Sequence, residues 1–188
     1  MDRGGRFEIR IAGFGGQGVV TIGRILGAAF TVYGGKNSVN TQSYGPESRG
    51  GACRSEVILS DGEINYPYVR RADVLVALSQ SALDTYVEEL KEGGILVTDS
   101  EGVTSVPRPE RFRMVPVPAL AIARETGSVK AQNMAVLGAL HPLIADLVGE
   151  SDLLRALEES VSPATLAGNM AAFEKGKEYV QSRFMGQP

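Results

Sequence analysis

Apolar and polar residues alternate along the first half of the chain with two periods, one of strands and one of helices. Residues 7–13 (FEIRIAG) switch between apolar and polar positions, while residues 19–33 carry Val19, Ile22, Ile25, Leu26, Ala29 and Phe30 at helical spacing. Between them stands Gly13-Phe14-Gly15-Gly16-Gln17-Gly18, so this stretch reads as a strand, a tight glycine turn and a helix. Residues 54–60 (RSEVILS) and 73–78 (DVLVAL) are strand-like, the second almost continuously apolar, as in a strand covered on both faces. A helix is expected over residues 81–91, stopping at Gly93-Gly94, before a strand pattern returns in residues 95–99 (ILVTD). Strands and helices alternating at these lengths imply crossover connections and a mostly parallel sheet.

The pattern then changes. Pro107, Pro109, Pro116 and Pro118 bracket a short FRMV segment, which reads as a connection or an edge strand because proline donates no ladder hydrogen bond. Beyond it the periodicity is helical over residues 119–125, 129–140, 142–148, 151–160 and 163–184. Ser162 is placed to cap the last of these with Pro163 at its first position, and Leu166, Met170, Phe173, Val180 and Phe184 form one apolar stripe. No repeat or low-complexity tract interrupts the chain. The expected fold is α/β, a mostly parallel sheet flanked by helices with a helical C-terminal part, in a single domain over residues 1–188.

Composition narrows the function classes. The chain has 188 residues, 43% of them hydrophobic and 22% charged, with a mean hydropathy of -0.03, in the range of soluble globular proteins. A net charge of -3 with no run of like charges leaves no electrostatic footprint for DNA or RNA. The longest apolar run, near Ala135 to Leu140, falls far short of the ~20 residues that span a bilayer, and the first ten residues hold three arginines and no apolar core of a leader. A cytoplasmic location without membrane contact is expected. A single cysteine, Cys53, makes no internal disulfide, and a single histidine, His141, builds no metal cluster.

Gly13, Gly15 and Gly18 match G-x-G-x-x-G in the right context, so N–H groups at a helix N-terminus could face a phosphate or another anion. A dinucleotide site also needs an acid about 20 residues on, and the window YGGKNSVNTQS over residues 33–43 holds no carboxylate. Three readings of the turn stay open: a dinucleotide site, a site for some other anion, and an architectural turn at a subunit contact. The segment SYGPESRGG, residues 43–51, reads as a loop ahead of a strand, where open α/β sheets meet ligands and partners. Arg49 could clamp a phosphate or carboxylate with Glu47 orienting it, or both could lie on a solvated turn. Cys53 and His141 read more simply as packing residues than as a nucleophile and a base, and no hydrolase, zinc or kinase signature occurs.

Taken jointly, IAGFGGQGV at residues 11–19, SYGPESRGG running into RSEV, ADVLVAL at residues 72–78, Asn133-Met134 with LGAL, and Ala172-Phe173 with Gly176 carry a likeness over most of the chain. They resemble the gamma subunit of 2-oxoacid:ferredoxin oxidoreductases, most closely that of the 2-oxoglutarate enzymes. The resemblance implies a Rossmann-like domain in a heteromer that converts a 2-oxoacid and coenzyme A to acyl-CoA, carbon dioxide and reduced ferredoxin, or runs in reverse. It also implies thiamine diphosphate, [4Fe–4S] clusters and coenzyme A held in or with other subunits. The implied partners are alpha and beta chains, delta as a further candidate, and ferredoxin through the complex. A [4Fe–4S] cluster takes about four cysteine thiolates, which one cysteine does not supply, and Ser60-Asp61-Gly62-Glu63 has no paired asparagines after it to hold thiamine. The chain is therefore expected to be an accessory subunit, inactive alone and prone to self-association. The residues expected to contact a phosphate or coenzyme A are Gly13, Gly15, Gly16, Gly18 and Arg49. A free-standing phosphate- or dinucleotide-binding protein is the alternative.

Overall fold

The computed structural model describes residues 5–45 and 51–186. The first strand, β1 (Arg6–Phe14), leads through the glycine turn into α1 (Val19–Ala28), whose last part widens into a π turn, Ala29–Tyr33. A hairpin follows, β2 (Asn37–Tyr44) and β3 (Ala52–Ser60), then β4 (Ala72–Ala77), α2 (Gln80–Tyr86), β5 (Leu90–Asp99) and β6 (Arg113–Val117). The remainder is helical: α3 (Ala119–Glu125), α4 (Gln132–Ile144), α5 (Glu150–Ser160) and α6 (Pro163–Phe184). In space the strands run β2-β3-β1-β4-β5-β6. β1, β4, β5 and β6 pair in parallel, and β3 is antiparallel to both β1 and β2, so among the described strands β3 runs against the other five. The mostly parallel α/β sheet expected from the sequence is what forms.

Strand alternation divides the interior into two cores. Phe7, Ile9 and Ile11 of β1 point with Val74, Val76 and Val97 into the larger core, built with α1, α4, α5 and α6. Leu75, Ala77 and Leu96 face the other side, where α2 supplies Leu83 and the following turn Val87. Two glycines set the distance between α4 and α6. A Cβ on Gly138 would sit 1.9 Å from the Phe173 carbonyl oxygen, and one on Gly176 would sit 2.0 Å from that of Ala135. Backbone therefore meets backbone where the helices cross, and Phe173 is completely buried there.

Three local expectations need correction. The helix drawn to residue 91 ends at Tyr86, a short turn Val87–Glu89 follows, and Leu90 already opens β5 because its side chain is buried in the smaller core. Gly93 (φ 70°) and Gly94 consequently lie inside that strand, where the pairing with β4 shifts register, instead of stopping a helix. Pro142 does not separate two helices but sits in the last turn of α4, where Leu143 and Ile144 are buried and hold that turn in place. Finally, Ser43 and Tyr44 belong to β2 and not to a loop. Arg113, Met114 and Val115 of the FRMV segment do lie in the edge strand, and α6 begins at Pro163 and ends at Phe184 as expected. Ser162 contacts Thr165 through its hydroxyl (3.0 Å) rather than capping a backbone N–H.

Candidate functional site

The unusual residues gather at the end of the sheet where β1, β4 and β5 finish. Gly13 leaves no room for a side chain, since a Cβ there would meet Gln17 Oε1 at 2.5 Å and Leu78 Cβ at 3.0 Å. Gly16 (φ 97°) and Gly18 (φ 74°) take left-handed backbone that other residues rarely adopt, and Gly15 donates its N–H to the Gly51 carbonyl (2.9 Å). Gln17 fastens the turn. Its Oε1 accepts the Phe14 N–H (2.6 Å) and its Nε2 donates to the Leu78 carbonyl (3.0 Å), which ties the ends of β1 and β4 together. Gly18 is the N-cap of α1, with no side-chain cap among the described residues, and Asn133 packs directly on it, its amide 2.3 Å from where a Cβ would stand.

Next to the turn is a cavity of about 160 Å³ between the end of β1, the β2–β3 hairpin and the start of α2, lined among others by Phe14, Tyr44, Arg54, Ser79 and Tyr86. Tyr86 and Arg54 form one wall. The Arg10 guanidinium lies 4.8 Å from the ring centre and that of Arg54 5.6 Å, and Arg54 donates to the Tyr86 hydroxyl (3.2 Å), which raises the Arg54 pKa further. Arg10 is buried on the sheet and held by Glu56 (2.8 Å) and Glu89 (2.5 Å), so its charge is neutralised within the fold. Arg54 is the more exposed of the two, and its Nε lies 3.7 Å from Glu56.

Across the same sheet end, Asp99 is buried, accepts from Gln132 Nε2 (2.7 Å), and has its carboxyl pKa pushed up chiefly by burial. Cys53 is buried, which pushes its thiol pKa up and disfavours a nucleophilic thiolate. His141 is also buried among helices, away from the turn, and desolvation pushes its pKa down. Among the described residues there is no cluster of side chains able to hold a metal ion, and no helix of the described residues is long and apolar enough to cross a membrane. One buried thiol does not fit an iron–sulfur cluster.

Of the sequence-derived candidates, Gly13, Gly15, Gly16 and Gly18 come together in one turn, and Arg49 lies outside the described residues. The topology disfavours a dinucleotide reading. The strand following α1 does not pair with β1, because β3 intervenes, and β2 carries no carboxylate that could reach a ribose. Arg54, Tyr86 and Gln17 were not singled out as site residues. A glutamine inside a glycine turn, able both to donate and to accept, was the signal available for the last of them.

The pyruvate ferredoxin/flavodoxin oxidoreductase family matches this chain over residues 8–179. The 2-oxoglutarate synthase subunit KorC of Methanothermobacter thermautotrophicus is 44% identical over 181 residues, which cover 93% of this chain and 95% of that protein. A crystal structure of the keto/oxoacid ferredoxin oxidoreductase gamma subunit of Geobacter sulfurreducens superposes with a TM-score of 0.83 at 39% identity, covering 93% of this chain and 95% of that one. The 2-oxoglutarate:ferredoxin oxidoreductase of Magnetococcus marinus, solved with 2-oxoglutarate, coenzyme A and succinyl-CoA bound, gives a TM-score of 0.86 at 28% identity. That match takes in 98% of this chain and 32% of the longer one.

Proposed function

The chain belongs to the pyruvate ferredoxin/flavodoxin oxidoreductase family, and from that premise we propose that it is the accessory gamma subunit of a heteromeric 2-oxoglutarate:ferredoxin oxidoreductase. One observation carries this reading: the match to KorC runs nearly end to end in both proteins. The Magnetococcus match supports the division of labour, because there the same fold is about a third of a longer polypeptide. In the complex, 2-oxoglutarate and coenzyme A become succinyl-CoA and carbon dioxide, and the released electrons reduce ferredoxin. Thiamine diphosphate and the iron–sulfur clusters belong to sibling chains, since the residues here fit neither, and no chemical step is assigned to this chain.

Its own contribution is to brace the siblings as one domain and to line the approach of coenzyme A. The residues assigned to that approach are Gly13, Gly15, Gly16 and Gly18, whose turn opens onto an uncapped helix N-terminus, together with Arg49, which follows β2 in the sequence. Arg54, at the wall of the adjacent cavity, extends the positive side. Co-expression with the chains encoded beside its gene tests the assignment. The expected result is ferredoxin reduction that needs 2-oxoglutarate, coenzyme A and every subunit, with the isolated chain inactive. Turnover of an oxoacid by this chain alone, or a complex indifferent to its omission, would overturn the assignment. Arg49→Ala in the assembled enzyme is expected to raise the KM for coenzyme A while the KM for 2-oxoglutarate holds. An unchanged coenzyme A KM removes Arg49 from the site.

A further inference from the structure

The two edges of the sheet are protected unequally. On β6, Arg113 and Pro116 interrupt the edge, and Arg113 donates to the Phe184 carbonyl at the end of α6 (3.3 Å). On β2 the sequence is NSVNTQSY, with no charge and no proline, and eight consecutive residues pair with β3 without a shift in register. A long regular edge of this kind templates pairing with another strand, and folded proteins ordinarily block it with charge, proline, a bulge or a covering element.

The ladder fixes which backbone groups are left over. Gly45 donates to the Ala52 carbonyl (2.7 Å), the residue opposite it in register, so alternate residues back to Asn37 bond inward. The N–H and C=O groups of Ser38, Asn40, Gln42 and Tyr44 then point away from the sheet. Two exposed apolar side chains flank this row: Tyr44, 66% exposed, at its end, and Val32, 71% exposed, in the π turn packed against its start. Both lie on the α1 side. Tyr44 reaches Gln42 (3.1 Å) and Gln42 reaches Asn40 (3.3 Å), whose amide lies beside Gly23 of α1.

We propose that β2 is a pairing edge for a second copy of this chain, joined antiparallel about a two-fold axis that passes at Thr41, perpendicular to the sheet. In that register Ser38 faces Tyr44 of the second copy, Val39 faces Ser43, Asn40 faces Gln42 and Thr41 faces its own copy, so the outward backbone groups of the two strands meet. No pair sets like charges together, so the same neutrality that leaves the edge open permits it to pair with itself. A different protein would be selected by complementary charge along the strand, and β2 offers none. The axis also keeps α1 of both copies on one side of a continuous sheet. Tyr44 of each copy thereby arrives at the end of β2 where Val32 of the other lies, and each covers the other. An eight-residue strand pair is small beside a standard interface of about 1,600 Å², so the dimer is reversible, with a dissociation constant on the order of 1–100 µM.

Size exclusion with light scattering on the full chain, from low to several hundred micromolar, reads this directly. The expected result is a mass that rises from monomer to dimer. Gln42→Pro removes one outward N–H and leaves the inward ladder intact, and Val32→Glu sets a carboxylate against the facing tyrosine. Each is expected to weaken association at least about tenfold, with the circular dichroism of the fold retained. If Gln42→Pro does not fold, Val32→Glu at its exposed position decides. A wild-type monomer at every concentration overturns the proposal, as does an association that the variants leave intact. A monomer whose β2 amides become protected from exchange only when sibling subunits are added overturns it too, and assigns the edge to a sibling strand.

Discussion

Gly138→Ala puts the contact between α4 and α6 to the sharpest test. The added methyl would stand 1.9 Å from the Phe173 carbonyl oxygen and 2.7 Å from its carbon, whereas ordinary contact begins at 3.4 Å. The obstacle is backbone, so no rotamer change relieves it, and α6 must retreat by about 1.5 Å. Retreat loosens the packing of Phe173, Ala172 and Val180, all fully buried. Overpacked cores lose about 1–3 kcal/mol, and with a carbonyl in the way the cost belongs near 3 kcal/mol. For a chain of this length that corresponds to a fall in Tm of roughly 6–12 °C.

Gly168→Ala in α6 supplies the control, because its Cβ would meet Ser128 at an ordinary 3.8 Å. There the gain in helix propensity is expected to stabilise by about 0.5–1 kcal/mol. Gly176→Ala is expected to match Gly138→Ala, and the double variant to cost less than the two combined, since one separation of the helices accommodates both methyls. Urea and thermal unfolding of the four variants measure this. Should Gly138→Ala unfold no earlier than Gly168→Ala, the two helices are not in backbone contact and the account of this core fails.

Other expectations concern the turn and two buried titratable groups. Gln17→Ala leaves the Phe14 N–H and the Leu78 carbonyl without their partner and is expected to cost about 1–3 kcal/mol; Gln17→Glu keeps the first bond but turns an acceptor toward the Leu78 carbonyl, so it should not restore the loss. His141 has its pKa held below 6.5 by burial, and among the described residues Glu150 (4.0 Å) and the Val148 backbone lie beside it without closing a well-formed hydrogen bond. Below pH 6.5 the unfolded chain therefore takes up a proton that the folded chain resists, and stability falls with acidification; His141→Leu is expected to flatten that slope in denaturant titrations from pH 7 to 5. Asp99 shifts the opposite way. Its raised pKa means that the folded chain keeps the proton longer, so stability declines as pH rises above 3.8, and Asp99→Asn is expected to remove that decline at the cost of one of the two acceptors now serving Gln132 and Glu101.

How much of this was legible in the chain depended on whether a residue's partner is near it in sequence. β1, β4 and the helices announce themselves because burial on one or two faces writes a period that any window displays. β2 was missed for the converse reason: as an edge strand with Val39 its one aliphatic residue, it is held by pairing with β3 and carries almost no burial signal. The Gly93-Gly94 pair misled because a helix stop and a strand bulge use the same residue, and the buried Leu90 decides between them only once the sheet is assembled. The glycine turn could be located, but its use could not. The contacts that explain it, Gly13 against Leu78 and Gly18 against Asn133, join residues far apart along the chain.

Those long-range contacts also separate bracing from binding. Gly13 and Gly18 are required by packing against Leu78 and Asn133 whether or not anything binds, so replacing either perturbs the fold first and any ligand second. Gly16 is different, since its positive φ demands glycine yet a Cβ there would enter open space. Gly16→Ala therefore strains the backbone by about 1–2 kcal/mol without striking a neighbour. If the turn serves coenzyme A, this variant in the assembled enzyme should alter the KM for coenzyme A beyond what its small loss of stability accounts for. If the turn is bracing alone, Gly16→Ala should lower Tm slightly and leave that KM where it was, and the coenzyme A role would then rest on other residues.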